Sequence, residues 1–350
     1  MDSLSSRRRC SSLMRPGRIW GRVVLVLGAA LGTAVTSAPA QDPVQEMRQE
    51  AGRIQKLLSN KEFPKAARRA ETLVKKFPDE FAVWMVLANV HLQEGWSSRK
   101  DARALEAARR ARELGGDRPD VLFALATAHY RQREENTTSL LDELLAKQPT
   151  PFDRHQRCEL LFMRAALVIR GENQDEATRQ KAFEDLNGIL QLNPKHGKTR
   201  QLRADALRDD GQYEKALEDL RVVYEISPGN KQLHYGLYSC YRGLRDMEKA
   251  QHHLRIWKLV HQLTDSIART SAPEPEERLA LLRELRELNP DDVRRRLELV
   301  QLELMLGELD NAEREWKALK ERYPEWQPLE PLKAEIDRRR VGDGSGEESR

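Results

Sequence analysis

Residues 197–228 read GKTRQLRADALRDDGQYEKALEDLRVVYEISP, and the order of small, large and breaking residues in them decides the fold. Counting back from Pro228, Ala216 lies twelve residues before it, Leu220 eight and Val223 five. Steps of four and then three return side chains to one face of an α-helix, so these three share a stripe. The alanine marks where a neighbouring helix comes close. The proline falls just past the helix end, where it cannot continue the helix. Asp210-Gly211-Gln212-Tyr213 reads as a turn joining this helix to an earlier one that carries Ala204 and Leu207.

The frame recurs. Pro194 and Pro228 are 34 residues apart, Pro290 and Pro324 again 34, and Gln262 stands 34 after Pro228 in the proline's place. Ala182, Leu186 and Ile189 precede Pro194; Ala250, Leu254 and Trp257 precede Gln262; Ala312, Trp316 and Leu319 precede Pro324; Ala66, Ala70 and Leu73 precede Pro78. Residues 293–324 nearly repeat the first stretch through Leu299, Gly307, Ala312 and Pro324. Such a period marks helix pairs that bury their apolar faces by stacking on one another. With Ala204, Leu207, Gly211, Tyr213, Ala216, Leu220 and Pro228 at its places, the chain resembles the tetratricopeptide repeat family. The resemblance implies an all-α fold, a right-handed α-solenoid of helix-turn-helix repeats. It also implies that the first helix of each repeat lines a groove holding a segment of another protein.

The pattern divides the chain unevenly. Residues 41–262 hold six repeats, 263–290 an irregular helical segment interrupted at Ser271-Ala272-Pro273-Glu274-Pro275, and 291–324 a last repeat. Residues 325–340 form a polar helix that caps the open end of the array, and 341–350, with three glycines among acids, a disordered tail. Trp96-Ser97-Ser98-Arg99 is an inserted turn. The second helix of the third repeat offers Thr137, Leu141 and Leu144 without the usual alanine, and the fourth pairs Phe162, Ala165, Ala166 and Ile169 with Ala182 across a polar loop at Asn173.

Residues 1–40 read as a signal peptide. Arg7, Arg8, Arg9, Arg15, Arg18 and Arg22 precede an uncharged apolar run from Val23 to Val35, then small residues to Ala40, after which cleavage is expected. The run falls short of the ~20 residues that span a bilayer, which favours cleavage over an uncleaved membrane tether. Met14 is an alternative start. Export places the body in the periplasm or cell envelope, where Cys158 and Cys240 read as buried small hydrophobes two repeats apart rather than as a disulfide. Six of the 60 basic and one of the 56 acidic residues lie within 1–40, leaving 54 against 55. A body so near neutrality has no general attraction for a phosphate backbone, so no nucleic-acid partner is expected. Membrane contact is expected only if the signal stays uncleaved.

No catalytic signature stands. Gly197-Lys198-Thr199 lacks the earlier glycine and the preceding strand of a phosphate loop, and His252, His253 and His261 lack the one-turn spacing that grips zinc. No cofactor or metal is expected. The residues that face the groove by register are Arg170, Lys198, Gln201, Asp205, Arg208, Tyr235, Ser239 and Arg242. Arg170, Arg208 and Arg242 fall at corresponding places and would make a ladder of guanidinium groups able to hold carboxylates in bidentate fashion. One reading is an acidic or C-terminal peptide ligand; the other is that these arginines solubilise the face, neutralised by Asp209 and Glu172. The family's chaperone-tail clamp is not matched, because Asn89 stands with Met85 where a lysine is wanted. Tyr238 and Tyr241 read as core, and Trp257 and Trp316 as packing. The function expected is a non-catalytic interaction scaffold. The alternatives are an enzyme or enzyme subunit with a site near residues 263–290, and a membrane-tethered scaffold.

Overall fold

The computed structural model describes residues 43–94, 97–148, 150–171, 175–265 and 274–344. Residues 1–40, read above as a signal peptide, Trp96, Glu172, Asn173 and Ser271-Ala272-Pro273 lie outside them. Among the described residues are sixteen α-helices and no strand, so the chain is all-α. It divides into two compact units between Thr178 and Arg179.

The first unit carries α1 (Pro43–Ser59), α2 (Phe63–Lys76), α3 (Phe81–Gln93), α4 (Ser98–Gly115), α5 (Pro119–Gln132), α6 (Thr137–Ala146) and α7 (Arg154–Arg170). α8 (Glu176–Leu192) crosses the division. The second unit continues with α9 (Gly197–Asp209), α10 (Tyr213–Ile226), α11 (Lys231–Gly243), α12 (Met247–Asp265), α13 (Pro275–Leu288), α14 (Val293–Met305), α15 (Leu309–Arg322) and α16 (Glu330–Gly344). Each is a solenoid segment of consecutive helices packed in pairs.

Three local devices repeat. Five turns within helix pairs place one residue in the left-handed region: Lys61, Arg133, Gly211, Arg245 and Gly307. In each, that residue's N–H bonds the carbonyl three back and the next N–H bonds the carbonyl five back, as in Gly211 to Arg208 and Gln212 to Leu207. This closes the carbonyls that a helix end leaves open. Secondly, a side chain six residues beyond the proline latches the proline's carbonyl. Trp84 Nε1 donates to Pro78 at 2.7 Å, Arg200 Nε to Pro194 at 2.6 Å, His234 Nε2 to Pro228 at 2.7 Å and Arg296 Nη1 to Pro290 at 3.3 Å. Thirdly, in three repeats the latch residue meets a side chain nineteen further on. Arg200 meets Asp219 at 2.6 Å, Arg296 meets Glu315 at 2.5 Å, and His234 meets His253 at 3.2 Å.

The stripes read from the sequence form the core. Ala66, Ala70, Ala182, Ala216, Ala250 and Ala312 are fully or almost fully buried, as are Leu186, Ile189, Leu220 and Val223. Around Cys240, Leu233 and Leu237 of α11 meet Ala216, Leu217 and Leu220 of α10. Ile256, Leu259, Val260 and Leu263 of α12 pack with Leu279, Leu282 and Leu285 of α13 and Leu299 of α14. Leu329 and Ile336 lie on Val300, Leu304, Ala312 and Leu319 at the C-terminal end.

Several boundaries differ from expectation. α12 runs straight through Gln262 to Asp265, because glutamine, unlike proline, keeps its N–H and leaves the preceding turn unobstructed. Within the segment read as irregular, Pro275–Leu288 is a regular helix, with proline in its first turn where that residue is tolerated. α16 extends to Gly344, into the stretch expected to be tail. Beside the inserted turn, Arg131 of α5 donates to the Leu92 carbonyl and pairs with Asp101 of α4 at 2.5 Å, with the two side chains only 6% and 5% exposed. Cys240 is buried and Cys158 half-buried; both are free thiols, and burial pushes the Cys240 thiol up to about 11.

Candidate functional site

The register residues of the second unit lie on α9 and α11. Lys198 is exposed at the start of α9. Gln201 Nε2 donates to Asp205 Oδ1 at 3.2 Å, and Asp205 accepts from Arg208 at 2.9 Å. Arg208 also bonds Asp209 Oδ1 through Nε at 3.1 Å and Nη2 at 2.9 Å. Burial opposes the Arg208 charge, but the Asp209 bonds and the Asp205 charge outweigh it, and its pKa lies above the usual arginine value. Arg208 is therefore committed to carboxylates of its own helix end.

Arg242 is not. It is exposed, donates to Tyr238 Oη at 3.2 Å, and pairs with no carboxylate among the described residues. Ser239 sits half-buried on the same helix. Arg170 belongs to α7 in the first unit, where it is exposed and donates to Tyr130 Oη at 3.4 Å. The expected ladder thus contributes two arginines, Arg208 and Arg242, to the second unit.

Between them the structure adds a feature that register alone did not supply. Tyr235, 45% exposed, has the Arg208 guanidinium 6.0 Å from its ring centroid. Tyr238 lies 6.0 Å from Tyr235 and carries Arg242 at 5.3 Å. On the other side Trp257 of α12 lies 5.7 Å from Tyr235 and stacks on His261 at 5.3 Å, with planes 6° apart. His261 Nδ1 in turn is 3.3 Å from Lys231 Nζ. The result is a strip of four rings, Tyr238-Tyr235-Trp257-His261, with Arg208 and Arg242 at one end and Lys231 at the other. Offset and tilted rings at these separations attract one another, and cations over ring faces add to this.

Tyr238 and Trp257 were expected in the core; both are half-buried and their rings belong to the strip. The sequence signal for Trp257 and His261 was their four-residue spacing on one helix. It becomes legible only once α11 and α12 are known to pair with 235 beside 257 and 231 beside 261. Near the alternative site, the arginines of α13 are engaged with carboxylates: Arg278 with Glu298, Arg283 with Glu303 and Glu308, and Arg286 with Glu287 and Glu315.

A family model described as tetratricopeptide repeat matches residues 53–95, the stretch holding the Ala66-Ala70-Leu73-Pro78 frame and the Trp84 latch. Over that stretch the chain carries a tetratricopeptide repeat. Among solved structures, it is similar to the TPR domain of P58(IPK), at 17% identity over 84% of this chain and 98% of that one with a TM-score of 0.29. It is also similar to yeast Tom70, at 14% identity over 91% of this chain and 70% of that one with a TM-score of 0.45. A search of curated proteins found no match.

Proposed function

We propose that this tetratricopeptide repeat protein is a non-catalytic scaffold, exported to the cell envelope, that holds an acidic segment of a partner protein on the strip of α9, α11 and α12. One observation supports the binding face: the exposed Tyr235 ring stands beside Trp257 with the Arg208 guanidinium over it, and Arg242, over the adjoining Tyr238, pairs with no carboxylate among the described residues. Aromatic rings and arginine are the side chains that most often dominate interface energy, and a guanidinium grips a carboxylate through two parallel bonds. Export is supported by the arginine-rich head, the apolar run Val23–Val35 and the small residues before Gln41. Edman sequencing of the mature protein is expected to start at Gln41; an intact Val23–Val35 would instead favour the tethered form.

The binding face is tested by crosslinked capture of partners in the source organism, followed by titration of the purified partner. Arg242→Glu and Tyr235→Ala are each expected to weaken binding at least about tenfold, the effect of an interface hot spot, while leaving helicity and melting unchanged. Equal affinity in both variants would overturn the reading.

A further inference from the structure

Directly beneath the strip lies a pair of histidines. His234 precedes Tyr235 on α11 and is fully buried; His253 stands one turn before Trp257 on α12. Their Nδ1 atoms are 3.2 Å apart. The Pro228 carbonyl, 2.7 Å from His234 Nε2, only accepts, so that nitrogen carries the proton. His234 Nδ1 is then the acceptor and His253 Nδ1–H the donor. The Tyr241 ring stacks on His253 at 5.6 Å, and His252 meets it edge-on at 5.1 Å. A proton added to His234 Nδ1 would set N–H against N–H unless His253 carried its own proton on Nε2, and two imidazolium rings cannot share this contact.

Among the described residues, no carboxylate pairs with either histidine. Tyr224 of α10 stands edge-on to His234, donating instead to Asn289 Oδ1 at 3.0 Å and Asp291 Oδ2 at 3.1 Å. Asn289 Nδ2 donates to the same Pro228 carbonyl at 2.8 Å. Asp291 is also paired with Arg322, Asp292 caps α14 by accepting from the Arg295 N–H, and Lys249 sits over Tyr241, paired with Asp246. In the flanking repeats the same position holds an ion pair, Arg200 with Asp219 and Arg296 with Glu315, whose partners keep their charges through mild acid. Only this repeat, of those three, fills it with groups that titrate near neutrality.

We propose that the His234–His253 pair makes the Tyr235–Trp257 strip acid-sensitive: protons bound when α11 and α12 part draw the repeat open and dismantle the strip as the pH falls. This regulation rests on reading the strip as the binding face. Burial holds His234 down at about 4, and burial with the charges of His234 and His252 holds His253 at about 3. The closed repeat therefore refuses protons that the open form, with pKa values near ~6.5, accepts.

The test is hydrogen exchange of the full-length protein without partner, read on peptides from α11 and α12 at pH 7 and pH 5 and corrected for intrinsic rates. Each histidine freed on opening is expected to cut protection about 30-fold at pH 5, from an open-form pKa of ~6.5. The double variant His234→Arg with His253→Glu installs the ion pair of the neighbouring repeats and is expected to abolish the drop. Unchanged α11 and α12 protection in the wild type, or an equal drop in the variant, would sink the proposal. Should the variant fail to fold, the wild-type Cε1–H resonances of His234 and His253, assigned by single substitutions, decide: titration of both near ~6.5 overturns it, and both staying neutral to pH 5 supports it. Partner titration in a His261→Gln background, which removes the strip's own histidine, then separates the two readings. Binding lost with Arg242→Glu but indifferent to pH keeps the face and rejects the switch. Pronounced pH-dependent exchange with no effect of Arg242→Glu does the reverse.

Discussion

Gly229 shows how narrowly a single position can be specified. A Cβ there would lie 2.1 Å from Asp292 Oδ2 and 2.5 Å from its Cγ, and Asp292 is buried. Gly229→Ala is expected to cost at least about 1–3 kcal/mol through overpacking, read as a lower urea midpoint. Gly52, inside α1, is the opposite case: a Cβ meets nothing within 4 Å, and Gly52→Ala is expected to add about 0.5–1 kcal/mol by removing freedom from the unfolded chain. The alanines of the core, such as Ala216, could be read from the sequence because their smallness and spacing carry the packing. Trp257 could not. Whether a large ring at that position is buried depends on what lies opposite it, and the neighbour that leaves it half-open is set by how α12 pairs with α11, not by its own helix.

At the scale of the element, the repeated turn makes a simple prediction. Arg245 takes the left-handed backbone that Gly211 and Gly307 take in the corresponding turns, and a side chain there costs about 1–2 kcal/mol. Arg245→Gly is expected to raise stability by about 1 kcal/mol in thermal or urea unfolding, with no change in helicity. Arg131 gives a prediction of the other sign. Its removal as Arg131→Met leaves Asp101 buried without its cation, which is expected to cost about 3–5 kcal/mol and to release the junction of α3 and α4. The inserted turn was legible as an interruption of the period; the clamp that holds it was not, because Arg131 lies 30 residues from Asp101 and belongs to another repeat. Proline punctuation is likewise legible where proline is present; at Gln262, which keeps its N–H, the helix continues to Asp265.

For the whole molecule, acid acts in two windows. His91 and His129 of the first unit, like His234 and His253 of the second, are held below their ordinary values by burial. A base that is neutral in the fold and protonated when unfolded loses stability as the pH falls from ~6.5 toward its folded pKa. Stability is therefore expected to decline already between about pH 6.5 and 4.5, where few carboxylates titrate. Below that, Asp117, Asp246 and Glu284, held low by bonds from Arg112, Lys249 and Arg255, lose their pairings, a smaller effect that salt should screen. Urea midpoints recorded from pH 8 to 3 at low and high salt would separate the two; a flat profile down to pH 4.5 would contradict the histidine assignment.

The proline-carbonyl latch asks for a donor and is indifferent to which one: an indole at Trp84, a guanidinium at Arg200 and Arg296, an imidazole at His234. Chemical identity at that site is thus a free variable. A repeat can be given an inert, a permanently charged or a proton-responsive fastening while the turn it closes keeps its geometry, so sensitivity to the surroundings can be written into one module and withheld from its neighbours.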